Sequence, residues 1–462
     1  ARLLNHKVFM TNGHDEYWSK EQRNNVEAAR NAGVHLAFFT GNEVYWKTRW
    51  ENLTGGEHRT LVCYKEGLLG DGSQGERTCG GKCDGSTPEW TGLWRTGGNY
   101  DAGKPENALV GQISWVEFPA EIGVPSFYKK LRFWRNTSVA NLPAGQTAFL
   151  GINTLGYEWD YEQYEASYPG GRITMSSRTI NNKTHKLSLY RHSSGALVFG
   201  AGTVQWSWGL DDQHWGGSPV ISPEMQQATV NLFADMGVQP GSLQSGLVPA
   251  VQTTDFTAPS SVLTAPANGA TFSSGSTIQI TGTATDAGGG VVAGVDISVD
   301  GGNTWKQATL NTIDGTVTWS YSWATTSNGA FNIRWRAFDD SGNIQAAGNG
   351  ITVNVGGADI TAPAVSTVSP TNGSTGVSTG TIVTINFSEA INASTVNSGT
   401  VQLKAGSTII NATLNTEITQ VTLIPVSVLS ASTLYTVTIK GGSNGVKDLA
   451  GNPLASDYTW SF

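Results

Sequence analysis

The sequence is short of charge, of cysteine and of methionine. Only 14% of its 462 residues are charged, and 28 Lys and Arg face 36 Asp and Glu. A net charge of −8 and a pI near 5.4 exclude the basic surface that nucleic-acid binding requires. No apolar run approaches the ~18–20 residues that cross a bilayer as a helix. Three cysteines permit one disulfide and leave a thiol over. Glycine is abundant, at 57 residues, but without the period of collagen. The chain opens at Ala1 on an apolar stretch with no initiator Met and no leader, which reads as a processed chain or a fragment. At roughly 100–200 residues per domain, the length predicts about two to four domains.

The absences are also uneven. All seven His, all three Cys, all four Met and eleven of the 16 Trp precede residue 240. The stretch 241–255 is rich in Gly, Ser, Gln, Pro and Val without period, and reads as a linker. Beyond it Thr, Ser, Val, Ile, Gly and Asn dominate, with frequent turn signals, the pattern of small all-β sandwiches. That half repeats itself. Asp255-Phe-Thr-Ala-Pro259 recurs 104 residues on as Asp359-Ile-Thr-Ala-Pro363, and Pro266-Ala-Asn-Gly269 recurs as Pro370-Thr-Asn-Gly373. Asp339-Asp-Ser-Gly-Asn343 is echoed by Asp448-Leu-Ala-Gly-Asn452. The expected domains are therefore 1–240, then 256–356 and 357–462 as tandem sandwiches. Alternation over 276–284, 331–337 and 381–387 predicts strands. Asp339, Asp340 and Asp448 fit tight turns, with a calcium site as the functional alternative. Exposed sandwich edges offer a route to self-assembly by strand addition.

The first part reads as α/β. Residues 7–11 and 34–40 are apolar strands, and Ser19 with Gln22 forms a capping box for a helix over 20–32, closed by Gly33. Strand, helix and strand over so short a span predict a parallel sheet with ligands at its carboxyl edge. Two loops, 12–18 and 41–46, would open there. A strand from Leu197 runs into a loop bearing Trp206, Trp208 and Asp211, and a helix over 223–235 closes the domain. The pair Cys79 and Cys83 suits a small local disulfide, against free thiols or a metal that lacks a second ligand pair. Cys63 reads as a buried reduced filler.

Four motifs follow in order: His14-Asp-Glu-Tyr-Trp-Ser19, Gly41-Asn-Glu-Val-Tyr-Trp46, Leu155-Gly-Tyr-Glu-Trp-Asp160 and the run Gly202 to Asp211. Together they resemble the C-terminal catalytic region of the N,N-dimethylformamidase large (β) subunit family. The two later domains resemble bacterial surface immunoglobulin-like modules. The first resemblance implies a sheet similar to glutamine-amidotransferase-like folds, without their nucleophile elbow. It implies a mononuclear iron held by Tyr17, Tyr45 and Glu158, with Glu117, Glu121 and Glu162 as rivals for the last place. Ferric iron would act as a Lewis acid toward an amide C–N bond, with His14 or Glu43 shuttling the proton. Asn42, Trp206, Trp208 and Asp211 are the expected substrate-binding residues. Aromatic packing of the Tyr-Trp pairs and of Trp206 and Trp208 is the bland alternative. The competing functional class is a non-catalytic exported protein of a cell surface or filament, binding a surface glycan through exposed Trp or carrying a degenerate α/β domain.

Overall fold

The computed structural model describes residues 2–53, 56–65, 67–68, 77–78, 84, 89–95, 103–113, 116, 118–163, 167–214, 221–356 and 361–462. Cys79, Cys83 and Glu117 lie outside them. The chain forms two compact units. One comprises Ala1–Thr264, Thr281–Tyr321 and Ile333–Gly350, the other Ala265–Ile280, Ser322–Asn332 and Ile351–Phe462. Among the described residues the chain is mostly β, with three α-helices. None is long and apolar enough to cross a membrane.

The first unit begins with β1 (Val8–His14), β2 (Tyr17–Ser19), α1 (Lys20–Asn31) and β3 (His35–Gly41). α1 starts where the sequence says it should. The Ser19 amide donates to Gln22 Oε1 at 3.0 Å, and the Gln22 amide donates back to Ser19 Oγ at 3.2 Å, satisfying two otherwise orphaned donors. Gly33, at φ +96°, turns the chain out of the helix. Further on come β4 (Trp46–Leu53), β5 (Gly56–Val62), β6 (Gly92–Leu93), β7 (Ile173–Thr174), β8 (Ser188–Arg191), β9 (Leu197–Gly200) and α2 (Pro223–Asp235).

The central sheet has the order β1-β3-β9-β8-β7. β1 and β9 run parallel to β3, β8 is antiparallel to β9, and β7 is in turn antiparallel to β8. This corrects the expected parallel sheet: it is mixed, because β8 and β9 are a hairpin and need no crossover helix. β3 lies in the middle, which explains its unbroken apolar run. Leu36 and Phe38 pack with Trp18, Val26 and Trp94. Phe39 meets Phe199, Trp206 and, from α2, Phe233, at ring-centre distances of 5.7, 5.9 and 6.0 Å. The two expected loops are also partly strand. β1 extends to His14, and β2 pairs in parallel with β4, Tyr17 opposite Trp46.

Within the same unit, Val292–Ser298 pairs antiparallel with residues 334–339 and with Lys306–Gln307. In the second unit, Val365–Ser369, Val383–Phe387, Gln420–Pro425 and Ala412–Thr416 form one four-stranded sheet. Thr408–Ile409, Val401–Ala405, Tyr435–Ile439 and Tyr458–Ser461 form another. Alternate residues Val383, Ile385 and Phe387 join Leu403, Val437, Ile439 and Trp460 in a buried core, as period-2 patterning requires.

Candidate functional site

The carboxyl ends of β1 and β3 are adjacent, with His14 in register with Gly41. A side chain on Gly41 would strike the Thr203 backbone at 2.9 Å, so only glycine fits. The next residues turn sharply. Asn42 (φ +50°) and Val44 (φ +53°) occupy the left-handed region, a strained place for a β-branched residue. Buried contacts hold them there: the Asn42 amide donates to Asp160 Oδ1 at 2.9 Å and the Val44 amide to the Asp15 carbonyl at 2.9 Å.

The third segment of the site is supplied by residues 157–160. Trp159, fully buried, bridges to Val116 and Thr203, and the Asp160 amide donates to the Gly202 carbonyl at 2.9 Å. This lays Tyr157 and Glu158 beside His14. The Tyr157 hydroxyl is 2.7 Å from His14 Nε2. His14 Nδ1 lies 3.4 Å from Glu158 Oε2 and 3.6 Å from Glu16 Oε1. One ligand atom from each of His14, Glu16 and Glu158 falls within 4.8 Å of the others, the arrangement a cation needs. Asn42 Nδ2 donates to Glu158 Oε2 at 3.2 Å and fixes that carboxylate. Burial, followed by the charge of Glu158, raises the pKa of Glu16. Tyr157, 49% exposed, forms the outer wall.

Beneath lies a second acidic pair. Glu43 is 2% exposed and Asp160 is 1% exposed. Burial and then the Asp160 charge push Glu43 well above the usual carboxylate range, and burial lifts Asp160 to about 7. Glu43 was the expected alternative to His14 as proton shuttle. The structure places it below, behind Asn42.

Tyr17 and Tyr45 stand on neighbouring segments, since Tyr45 precedes the register partner of Tyr17. Each ring faces a cation: Lys65 Nζ is 5.0 Å from the Tyr17 ring centre, and the Arg95 guanidinium is 4.9 Å from that of Tyr45. Of the rivals to Glu158, Glu162 pairs with Arg172 at 2.7 Å and is committed there. Against the burial that would raise it, Arg172 and Lys186 hold Glu162 at about 2. Trp206 is fully buried, its Nε1 donating to Thr229 Oγ1 at 3.3 Å, so it is core rather than pocket wall. Trp208 stacks on His214 at 4.2 Å. Asp211 accepts the Gln213 amide at 2.6 Å and caps its own turn. Cys63 is a free, half-buried thiol whose pKa burial raises.

Sequence reasoning passed over Glu16, Tyr157 and Asp160. All three sit inside quoted motifs. Period-2 spacing from His14 would have put Glu16 on the same side.

Residues 1–218 match the family described as N,N-dimethylformamidase beta subunit-like, C-terminal. Residues 259–334 match a bacterial Ig domain and 359–462 a bacterial Ig-like domain. The chain joins a dimethylformamidase-like C-terminal region to two bacterial Ig-like domains. No curated protein matches it. Among solved structures, dimeric latent PorU from Porphyromonas gingivalis is 14% identical over 62% of this chain and 32% of its own, with a TM-score of 0.25. The N-terminal part of the bacterial S-layer protein SbsC is 17% identical over 22% of this chain, which spans 23% of that protein, at a TM-score of 0.17. The fibronectin(III)-like modules of Clostridium thermocellum CbhA are 14% identical over 44% of this chain and 92% of theirs, at 0.17. Likeness at this level carries no argument about function.

Proposed function

We propose that the dimethylformamidase-like region is an iron-dependent hydrolase of small amides, carried by an exported or surface-attached bacterial protein. The observation that carries this reading is the meeting of His14, Glu16 and Glu158 beside Tyr157, at the carboxyl ends of parallel strands. Tyr17, Tyr45 and Glu158 are the proposed ligands. Phenol and carboxylate oxygens suit a hard cation such as ferric iron, and a cation would relieve the like charges of Glu16 and Glu158. When bound, iron polarises an amide carbonyl and makes a bound water more acidic.

The chain's own groups supply the rest. His14, with 36% of its side chain exposed, is within reach of solvent and is steadied through both ring nitrogens. It takes up the proton released as water adds to the amide carbon and returns it to the departing amine. Asn42 orients Glu158, and Asp160 Oδ1, which accepts the Asn42 amide, holds Asn42 in its strained turn. The bacterial Ig-like domains support the surface assignment.

The test is metal content together with amine release. Chain produced with iron should hold about one ion per molecule, absorb in the visible through its phenolates, and release amine from N,N-dimethylformamide or a related small amide. Tyr17→Phe and Tyr45→Phe should each weaken and shift the absorption band, and the double variant should lose it. Wild-type chain that holds no iron and releases no amine would remove the enzymatic reading.

A further inference from the structure

The geometry points to a calcium site, independent of the hydrolase reading, formed by Asp255, Asp286 and Asp339. One carboxylate oxygen from each lies within 4.8 Å of the others. Asp255 arrives from the segment before the first sandwich, Asp286 from a glycine-rich loop, and Asp339 from a strand end. Asp339 accepts from Asn343 through both oxygens, whereas Asp255 and Asp286 each keep one oxygen without a donor. Asp255 is 6% exposed and its Oδ1 accepts the Thr257 amide at 2.9 Å, but its buried Oδ2 has no donor. Asp286 Oδ1 accepts the Gly288 amide at 3.0 Å, and its buried Oδ2 likewise has none. Burying carboxylate oxygens without donors is costly unless a cation meets them.

The surroundings agree. The side-chain position that Gly290 leaves open is 2.8 Å from Asp340 Oδ1, 2.9 Å from Asp255 Oδ2 and 3.0 Å from Asp286 Oδ2. Three carboxylates thus converge on bare backbone. A Cβ on Gly288 would stand 1.9 Å from Asp255 Oδ1. Among the described residues, none of these four aspartates is in an ion pair with Lys or Arg. Oxygen donors alone, gathered from three loops, suit calcium, which accepts about 6–8 oxygens in irregular geometry. Magnesium demands a tighter octahedron and sheds water reluctantly.

The second sandwich contains a control. Asp448 Oδ1 and Oδ2 accept from the Asn452 amide and Nδ2, both at 2.8 Å, as Asp339 does from Asn343 at 2.8 and 2.7 Å. The turn is the same, but Leu449 follows Asp448 where Asp340 follows Asp339.

The experiment is calorimetric titration of the chelator-stripped full chain with CaCl2, alongside thermal unfolding. Wild type, Glu158→Gln and Asp448→Asn should bind calcium alike. Asp255→Asn combined with Asp286→Asn should weaken binding about tenfold or more and abolish the calcium-induced rise in Tm. If the double variant does not fold, Asp286→Asn alone decides. It should raise the Tm of the stripped chain, by removing repulsion, and shrink the rise on adding calcium. Absence of calcium binding by wild type, equal binding by the double variant, or loss of binding in Glu158→Gln would overturn the site. So would an Asp286→Asn chain that is less stable when stripped and gains as much from calcium as wild type.

Discussion

In the His14–Glu16–Glu158 group and in the Asp255–Asp286–Asp339 group, one ligand atom from each residue lies within 4.8 Å of the others, but the furnishings are opposite. The first mixes an imidazole with carboxylates, borders a phenol, stays partly open to water and has behind it two carboxyls whose pKa burial raises. The second sets carboxylates against glycine backbone. A cluster that must exchange protons needs groups that titrate near neutrality and a path to solvent. A cluster that only needs to hold a charge can be built from turns. On the two proposals made above, the comparison sets a site for chemistry against a site for fastening.

The largest effect that would sharpen it is expected at Glu158. Glu158→Gln should abolish iron uptake and amine release while leaving calcium binding intact, read by metal analysis and titration. Equal loss at both groups would erase the distinction. Next is His14. His14→Gln should retain iron and its absorption band yet lower kcat by about a hundredfold or more, because only proton transfer is removed. An unchanged kcat would transfer the proton role to another group.

Glu162 tests whether an acid in the same region is structural. Its partner Arg172 is 4% exposed, so Glu162→Gln leaves a buried cation uncompensated and should cost about 3–5 kcal/mol by denaturant unfolding. Held at about 2, Glu162 contributes stability that is present above pH 4.5 and lost as pH falls through about 2. Iron content should not change.

What the sequence made legible was local. Ser19 with Gln22 announces a helix start because both partners lie within one turn, and the apolar run at β3 announces burial on both faces. The β8–β9 hairpin escaped notice because Ser188 to Arg191 offers four residues without clear alternation. β2 is three residues long and exists through its pairing with β4. Glu158 meets His14 across more than a hundred residues, and only the motif resemblance marked it in advance. Asp255 and Asp286 were invisible as a pair for the same reason: their turns are local, their convergence is not.

The smallest expected effect concerns His185, which sits in the core near neither cluster's ligands. It is fully buried, with Nε2 2.9 Å from the Ala201 carbonyl and Nδ1 lacking a partner. Burial lowers its pKa from 6.5 to about 4. The folded chain therefore keeps the ring neutral while the unfolded chain protonates it first. The resulting stability is complete above pH 6.5 and is lost as pH falls through about 4. A shift of this size is worth on the order of 3 kcal/mol. His185→Gln, which cannot titrate, should flatten the dependence of the urea midpoint between those pH values, while both metal sites bind as before. If the variant's profile stayed as steep as wild type, the acid sensitivity would belong to carboxylates instead, and the two clusters would become the first suspects.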